Sequence, residues 1–132
     1  KGCVIMWQKE GCPVAEIRLP HDHGQKIEDV VTGLPHNEDF QTLSDLFRQL
    51  SDPSRMRIFW ILCHCEECVI NLSAMMEMSS PAVSHHLKLL KSAGLIVSRR
   101  EGKEVYYKAA QSETVHELHR MMETLMEISC PR

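Results

Sequence analysis

Three cysteines crowd into LCHCEEC, residues 62–68: Cys63, Cys65 and Cys68. Their Cys-x-Cys and Cys-x-x-Cys spacings suit a soft ion, because polarisable thiolates take zinc, cadmium, lead or arsenite in preference to calcium or magnesium. A closed site of four ligands needs more than this segment supplies. Cys3 and Cys12, or Cys130, are candidates to complete it. His21, Asp22, His23 and His36 add further donors, although HDHG also suits a plain polar loop. Cys63 has a second reading as a small apolar residue, since it continues a helical stripe through Met56, Phe59 and Trp60. Cys65 and Cys68 flank Glu66 and Glu67 and are expected to be exposed. His116 and His119, three apart with Glu113 and Glu123 near, read as solvated helix residues.

The second group of chemistry-bearing residues lies in SSPAVSHHLKLLKSAGLI, residues 79–96. Ser80 suits a helix cap, Pro81 the first helical position, and Gly94 a stop with positive φ. At 100° per residue Val83, Leu87 and Leu90 share one face, and Ser84, His85, Lys88 and Lys91 share the other. The outer face holds hydroxyls, imidazole and ammonium groups and no carboxylate. Those are donors for phosphate oxygens and base edges. His86 lies nearer the apolar face and reads as a packing residue.

Charge supports the same partner. The chain carries a formal net charge of −3, yet residues 79–108 hold six basic residues (Lys88, Lys91, Arg99, Arg100, Lys103, Lys108) against Glu101 and Glu104. A basic island in an acidic protein suits a polyanion, because each phosphate contact releases counterions.

Those residues need elements to position them. At 132 residues, with 43% hydrophobic and 25% charged, the chain has the makings of one core. There is no apolar run of membrane-spanning length and no signal-peptide pattern at the amino end. The six cysteines lack the spacing of a secreted scaffold and read as cytosolic thiols, so a cytoplasmic location without a membrane partner is expected.

Residues 1–36, broken by glycines and prolines, read as an arm with at most short helical pieces, and residues 37–132 as the folded domain. A first helix should start at Asn37 and carry the stripe Phe40, Leu43, Leu46, Phe47 and Leu50. A second should start at Asp52-Pro53 and, being apolar on nearly every side after Arg57, sit centrally. A third covers about residues 71–78, with Leu72, Met75 and Met76 inward. A turn at Met78-Ser79 leads into the capped basic helix. LIVSRREGKEVYYKAA then reads as a hairpin with Glu101, Gly102 and Lys103 at its tip and Arg99 and Arg100 beside them. A final helix, about 112–128, carries Val115, Leu118, Met122, Leu125 and Met126. Helix, turn, basic helix and basic hairpin make a winged helix-turn-helix, mainly α with a β-hairpin wing. Its expected partner is double-stranded DNA, contacted by Ser84, His85, Lys88 and the wing residues Arg99, Arg100 and Lys103.

SDPSRMRIFWILC, SSPAVSHHLKLLKSAGLI and SRREGKEVYY together resemble the ArsR/SmtB family of small bacterial transcriptional repressors, over about residues 38–128. The resemblance implies a homodimer through the first and last helices, and an inducer that lowers affinity for operator DNA. By motif position it also puts Ser80 and Pro81 on the DNA side. The family's soft-metal motif, Cys-Val-Cys-Asp at the start of the third helix, is CVIN here: Cys68 stands, but Ile70 and Asn71 replace the other ligands. Its ion site on the last helix is replaced by Ser112, Thr114, Leu125 and Ile128. Another branch senses oxidants or reactive sulfur through two cysteines, whose placement Cys63 and Cys130 resemble. Metal at thiolates and thiol redox chemistry are therefore both open.

An enzyme reading has little support. His64-Cys65-Glu66 matches half of a zinc-deaminase signature, and the Pro-Cys-x-x-Cys half does not follow. There is no Gly-x-Ser-x-Gly, no phosphate loop and no His-Glu-x-x-His. No small-molecule substrate is expected. A dimeric interaction module without DNA binding remains a rival, but it has no use for a basic wing.

Overall fold

The structure, a computed structural model, describes residues 19–127. The chain divides into two compact units at Ser44/Asp45. In the first, the short helix α1 (Glu28–Thr32) precedes α2 (Asn37–Gln49), which ends in the second unit. The second unit continues through α3 (Pro53–His64), β1 (Glu67–Cys68), α4 (Val69–Met76), α5 (Ser80–Ser92), β2 (Ile96–Glu101), β3 (Glu104–Ala109) and α6 (Glu113–Met126).

Each helix start has a local cause. Asp52, extended at φ −88°, caps α3 by accepting from the Arg55 N–H at 2.8 Å, with Pro53 inside the first turn. Ser112 caps α6 through the Val115 N–H at 3.3 Å. The cap of α5 is Ser79, not Ser80: its hydroxyl accepts from the Ala82 N–H at 3.3 Å. Ser80 is already helical, and its Oγ lies 3.2 Å from Ser73 Oγ on α4. Gly94 ends α5 at φ +75°, with Leu95 N–H bonding Leu90 O and Gly94 N–H bonding Lys91 O. That is a Schellman motif. The same pattern closes α4 around Glu77, at φ 53°, which turns the chain into α5.

α3 is central, as its all-round apolarity predicts: Ile58, Phe59 and Leu62 are buried. They pack with Leu72 and Met76 of α4, Val83, Leu87 and Leu90 of α5, and Val115, Leu118 and Met122 of α6. The third helix starts and ends about two residues earlier than its pattern predicts, and Met75 is exposed, not inward. The cause is β1, which ends at Cys68 and delivers the chain into α4 one residue later.

The sheet is antiparallel in the order β1-β3-β2. Arg99 faces Tyr106 and Glu101 faces Glu104 across the hairpin, while Glu67 and Cys68 face Tyr107 and Tyr106. Gly102, at φ +61°, makes the two-residue turn with Lys103.

Candidate nucleic-acid interface

α5 sorts its residues as the periodicity requires. Val83, Leu87 and Leu90 are no more than 1% exposed, while Pro81, Ser84, His85, Lys88 and Lys91 face solvent. Three residues, Glu77–Ser79, join it to α4, so α4 and α5 form a helix-turn-helix with the basic face of α5 outward. Lys91 Nζ donates to Ser98 Oγ on β2 at 2.7 Å and ties the helix to the wing. His86 differs from its neighbour. Its side chain is 12% exposed, its Nε2 lies 3.9 Å from Asp52 Oδ1, and its buried Nδ1 has no hydrogen-bond partner among the described residues.

The wing is not uniformly basic. Arg100 and Lys103 are exposed and form no ion pair among the described residues. Arg99 is held. Its Nε and Nη2 donate to Glu66 Oε1 at 2.8 and 2.5 Å, its Nη1 donates to Glu101 Oε2 at 2.6 Å, and its guanidinium lies 4.8 Å from the Tyr106 ring centre. The Arg99 hydrogen bonds and charge hold the Glu66 carboxyl below the usual carboxylate range.

Glu66 connects the wing to the cysteine segment. Cys65, Glu66, Glu67 and Cys68 run into and along β1, the third strand of the wing sheet, which the sequence pattern did not reveal. Two residues are too few to show a strand period. Cys63 is partly buried against the core. Cys65 is exposed and its thiol donates to Ile61 O at 3.4 Å. Burial, with Glu67 beside it, pushes the Cys65 thiol up. Cys68 is buried, contrary to its expected exposure, because pairing of β1 with β3 covers it.

Among the described residues no three His, Cys, Asp or Glu side chains stand together as a group able to hold a metal ion. Cys3, Cys12 and Cys130 lie outside the described residues. In HDHG, Gly24 N–H bonds Asp22 Oδ1 at 2.8 Å, and the His21 and His23 rings stack with centres 6.0 Å apart. Nor is His119 merely solvated: its Nε2 lies 3.2 Å from that of His64, 55 residues away in sequence.

Residues 52–98, from the cap of α3 into β2, match the family model described as bacterial regulatory protein, arsR family. Over 120 residues the chain is 32% identical to a transcriptional repressor SmtB homolog of Synechocystis, covering 91% of this chain and 89% of that one. The chain belongs to the ArsR/SmtB family. It is therefore a DNA-binding transcriptional regulator of the repressor class rather than an enzyme. It is also 39% identical over 86 residues to the cadmium resistance transcriptional regulatory protein CadC of Listeria innocua, covering 64% of this chain and 71% of that protein. Among solved structures, the homodimeric winged helix-turn-helix domain of a possible ArsR-family regulator from Mycobacterium bovis superposes with a TM-score of 0.62. It is 26% identical, over 72% of this chain and 89% of that one. No described helix of this ArsR/SmtB protein is long and apolar enough to cross a membrane.

Proposed function

We propose that this ArsR/SmtB protein represses transcription as a homodimer and leaves its operator when a soft metal or metalloid ion binds cysteine thiolates. Ser80, Pro81, Ser84, His85 and Lys88 approach the DNA from α5, and Arg100 and Lys103 neutralise phosphates from the wing. Arg99 joins them once its carboxylate partners let go. For the dimer, α2 offers the exposed Phe40, Leu43 and Phe47, and α6 offers the exposed Leu125 and Met126.

The observation that carries the inducer reading is the course of β1. Glu67–Cys68 is a strand of the wing sheet, and Glu66, the residue before it, grips Arg99. An ion taken by Cys65 and Cys68 has to draw out the buried Cys68 and shift β1. That displacement passes directly to the wing. Cys63, and Cys3 or Cys12 from the arm, are the further thiolate donors, and ions of the zinc, cadmium, lead or arsenite class fit them. The similarity to a cadmium resistance regulator supports this ion class.

The test is operator binding by fluorescence anisotropy, on the palindrome upstream of the protein's own gene, with each ion titrated in. Cadmium or lead should weaken binding and produce thiolate-to-metal charge transfer, and both effects should shrink in Cys65→Ser and Cys68→Ser. Release by mild oxidant or persulfide, with a Cys63–Cys130 link seen by mass spectrometry and no response to ions, would replace the metal reading with redox sensing.

A further inference from the structure

Away from the wing, two imidazoles from distant parts of the chain meet head to head. His64 is the last residue of α3 and His119 lies in the middle of α6. Their Nε2 atoms are 3.2 Å apart, and the rings meet edge to face with centres 4.9 Å apart. At that distance one ring donates its Nε2–H to the lone pair of the other. Burial, then the neighbouring His119, depress the His64 pKa, and the Glu123 carboxylate acts in the opposite sense. His64 is thus neutral at pH 7 and fit for such a bond. Trp60 packs against His64 at 4.3 Å between ring centres and fixes its orientation.

The place of this contact in the chain gives it a use. His64 stands between Cys63 and Cys65. Cys65 closes the last turn of α3: its N–H bonds Ile61 O at 3.1 Å, and its thiol donates to the same oxygen at 3.4 Å. A thiolate has no proton to donate, so an ion taken by Cys65 releases that proton to water and removes the thiol bond. Two thiolates on one ion, each at about 2.3 Å with a near-tetrahedral angle, lie about 3.8 Å apart. Cys63 is helical and packed against the core, while Cys65 is extended beyond the helix at φ −150°. Drawing either thiol toward a shared ion turns the end of α3, and His64 turns with it. At the other side of the contact, α6 sends Leu118 and Met122 into the core next to His119 and leaves Leu125 and Met126 exposed beyond it.

We propose that the His64–His119 contact is a clasp that holds α6 in its operator-binding position, and that inducer binding at the neighbouring thiolates opens it. Resting on the thiolate reading of the inducer site, the clasp adds a second route from that site to DNA. β1 carries the displacement to the wing, and the imidazoles carry it to the helix that the homodimer uses. His64 and His119 are positioning residues: neither lies on the basic face of α5 or on the wing. A dimeric operator requires two recognition helices about one DNA turn apart, so a shift of α6 lowers affinity without any change in α5 itself.

The experiment uses the full chain with ¹⁵N-labelled histidine. A coupling between the two Nε2 nuclei across the hydrogen bond should be present in the ion-free protein and vanish with saturating cadmium, a readout that needs no variant. His119→Ala should weaken ion-free operator binding about fivefold, the loss expected of one hydrogen bond, and should shrink the further loss that cadmium causes. The same change should raise the affinity for cadmium, because the ion no longer has a clasp to open; a general packing defect has no reason to do so. His119→Gln, whose amide can still bond His64, should restore all three, with melting curves confirming that both variants fold. An absent coupling in the ion-free protein, wild-type ion-free affinity in His119→Ala, or a full cadmium response in that variant would overturn the proposal. If cadmium leaves the wild-type protein on its operator, the metal reading fails instead, and the coupling and the ion-free affinity still decide whether the clasp exists.

Discussion

Arg99 shows how much one residue's partners alter its meaning. Exposed guanidinium on a wing should neutralise phosphate, yet Glu66 and Glu101 already occupy this one from both sides. Its charge is matched, so it adds little to the field that DNA meets. Glu66→Gln together with Glu101→Gln should free it, raise operator affinity and steepen the salt dependence by about one phosphate equivalent, whereas Lys103→Ala should flatten the slope by about one. Anisotropy titrations across a range of salt concentrations measure both, and an unchanged slope in the double variant would mean that Arg99 does not reach phosphate. Asp52 gives a second expectation. The Arg55 N–H bond lowers its pKa from 3.8, helped by the charges of His86 and Arg55. A carboxylate depressed on folding stabilises the fold fully above its unfolded pKa, and that contribution is lost as pH falls through the folded value. The stability advantage of the wild type over Asp52→Asn should hold near neutrality and vanish in acid below 3.8, as followed by urea unfolding at stepped pH.

At the scale of elements, stops and starts were the most legible features. Gly94 could be recognised as the end of α5 because only a residue without Cβ takes positive φ at low cost, and it sits at +75°. A Cβ added there meets nothing within 4 Å, so Gly94→Ala should cost about 1 kcal/mol through backbone strain alone. Equilibrium urea denaturation checks this, and a loss several times larger would point to a contact not accounted for. The α5 cap moved by one residue because two serines stand side by side and local chemistry does not choose between them. Ser73 of α4 engages Ser80 and leaves Ser79 to cap. β1 had no local signal: it is a strand because Tyr106 and Tyr107 of β3 accept it as a neighbour.

At the scale of the whole molecule, the core of the second unit centres on α3. Phe59 is fully buried at 0% exposure among side chains from α4, α5 and α6. Phe59→Ala should cost about 3–5 kcal/mol. Against a typical total of about 5–15 kcal/mol, that leaves a barely stable chain, and calorimetry should show a much lower melting temperature.

The sequence by itself determined which helices form, which faces they bury, where α5 stops and where the hairpin turns. These depend on interactions within a few residues, and periodicity, caps and positive-φ glycines record them directly. Tertiary structure decided the pairings. Arg99 meets Glu66 across 33 residues, His64 meets His119 across 55, and Cys68 disappears under a strand that local pattern does not announce. Local chemistry sets what a side chain offers, but its partner is chosen by the packing of elements that lie far apart in the chain.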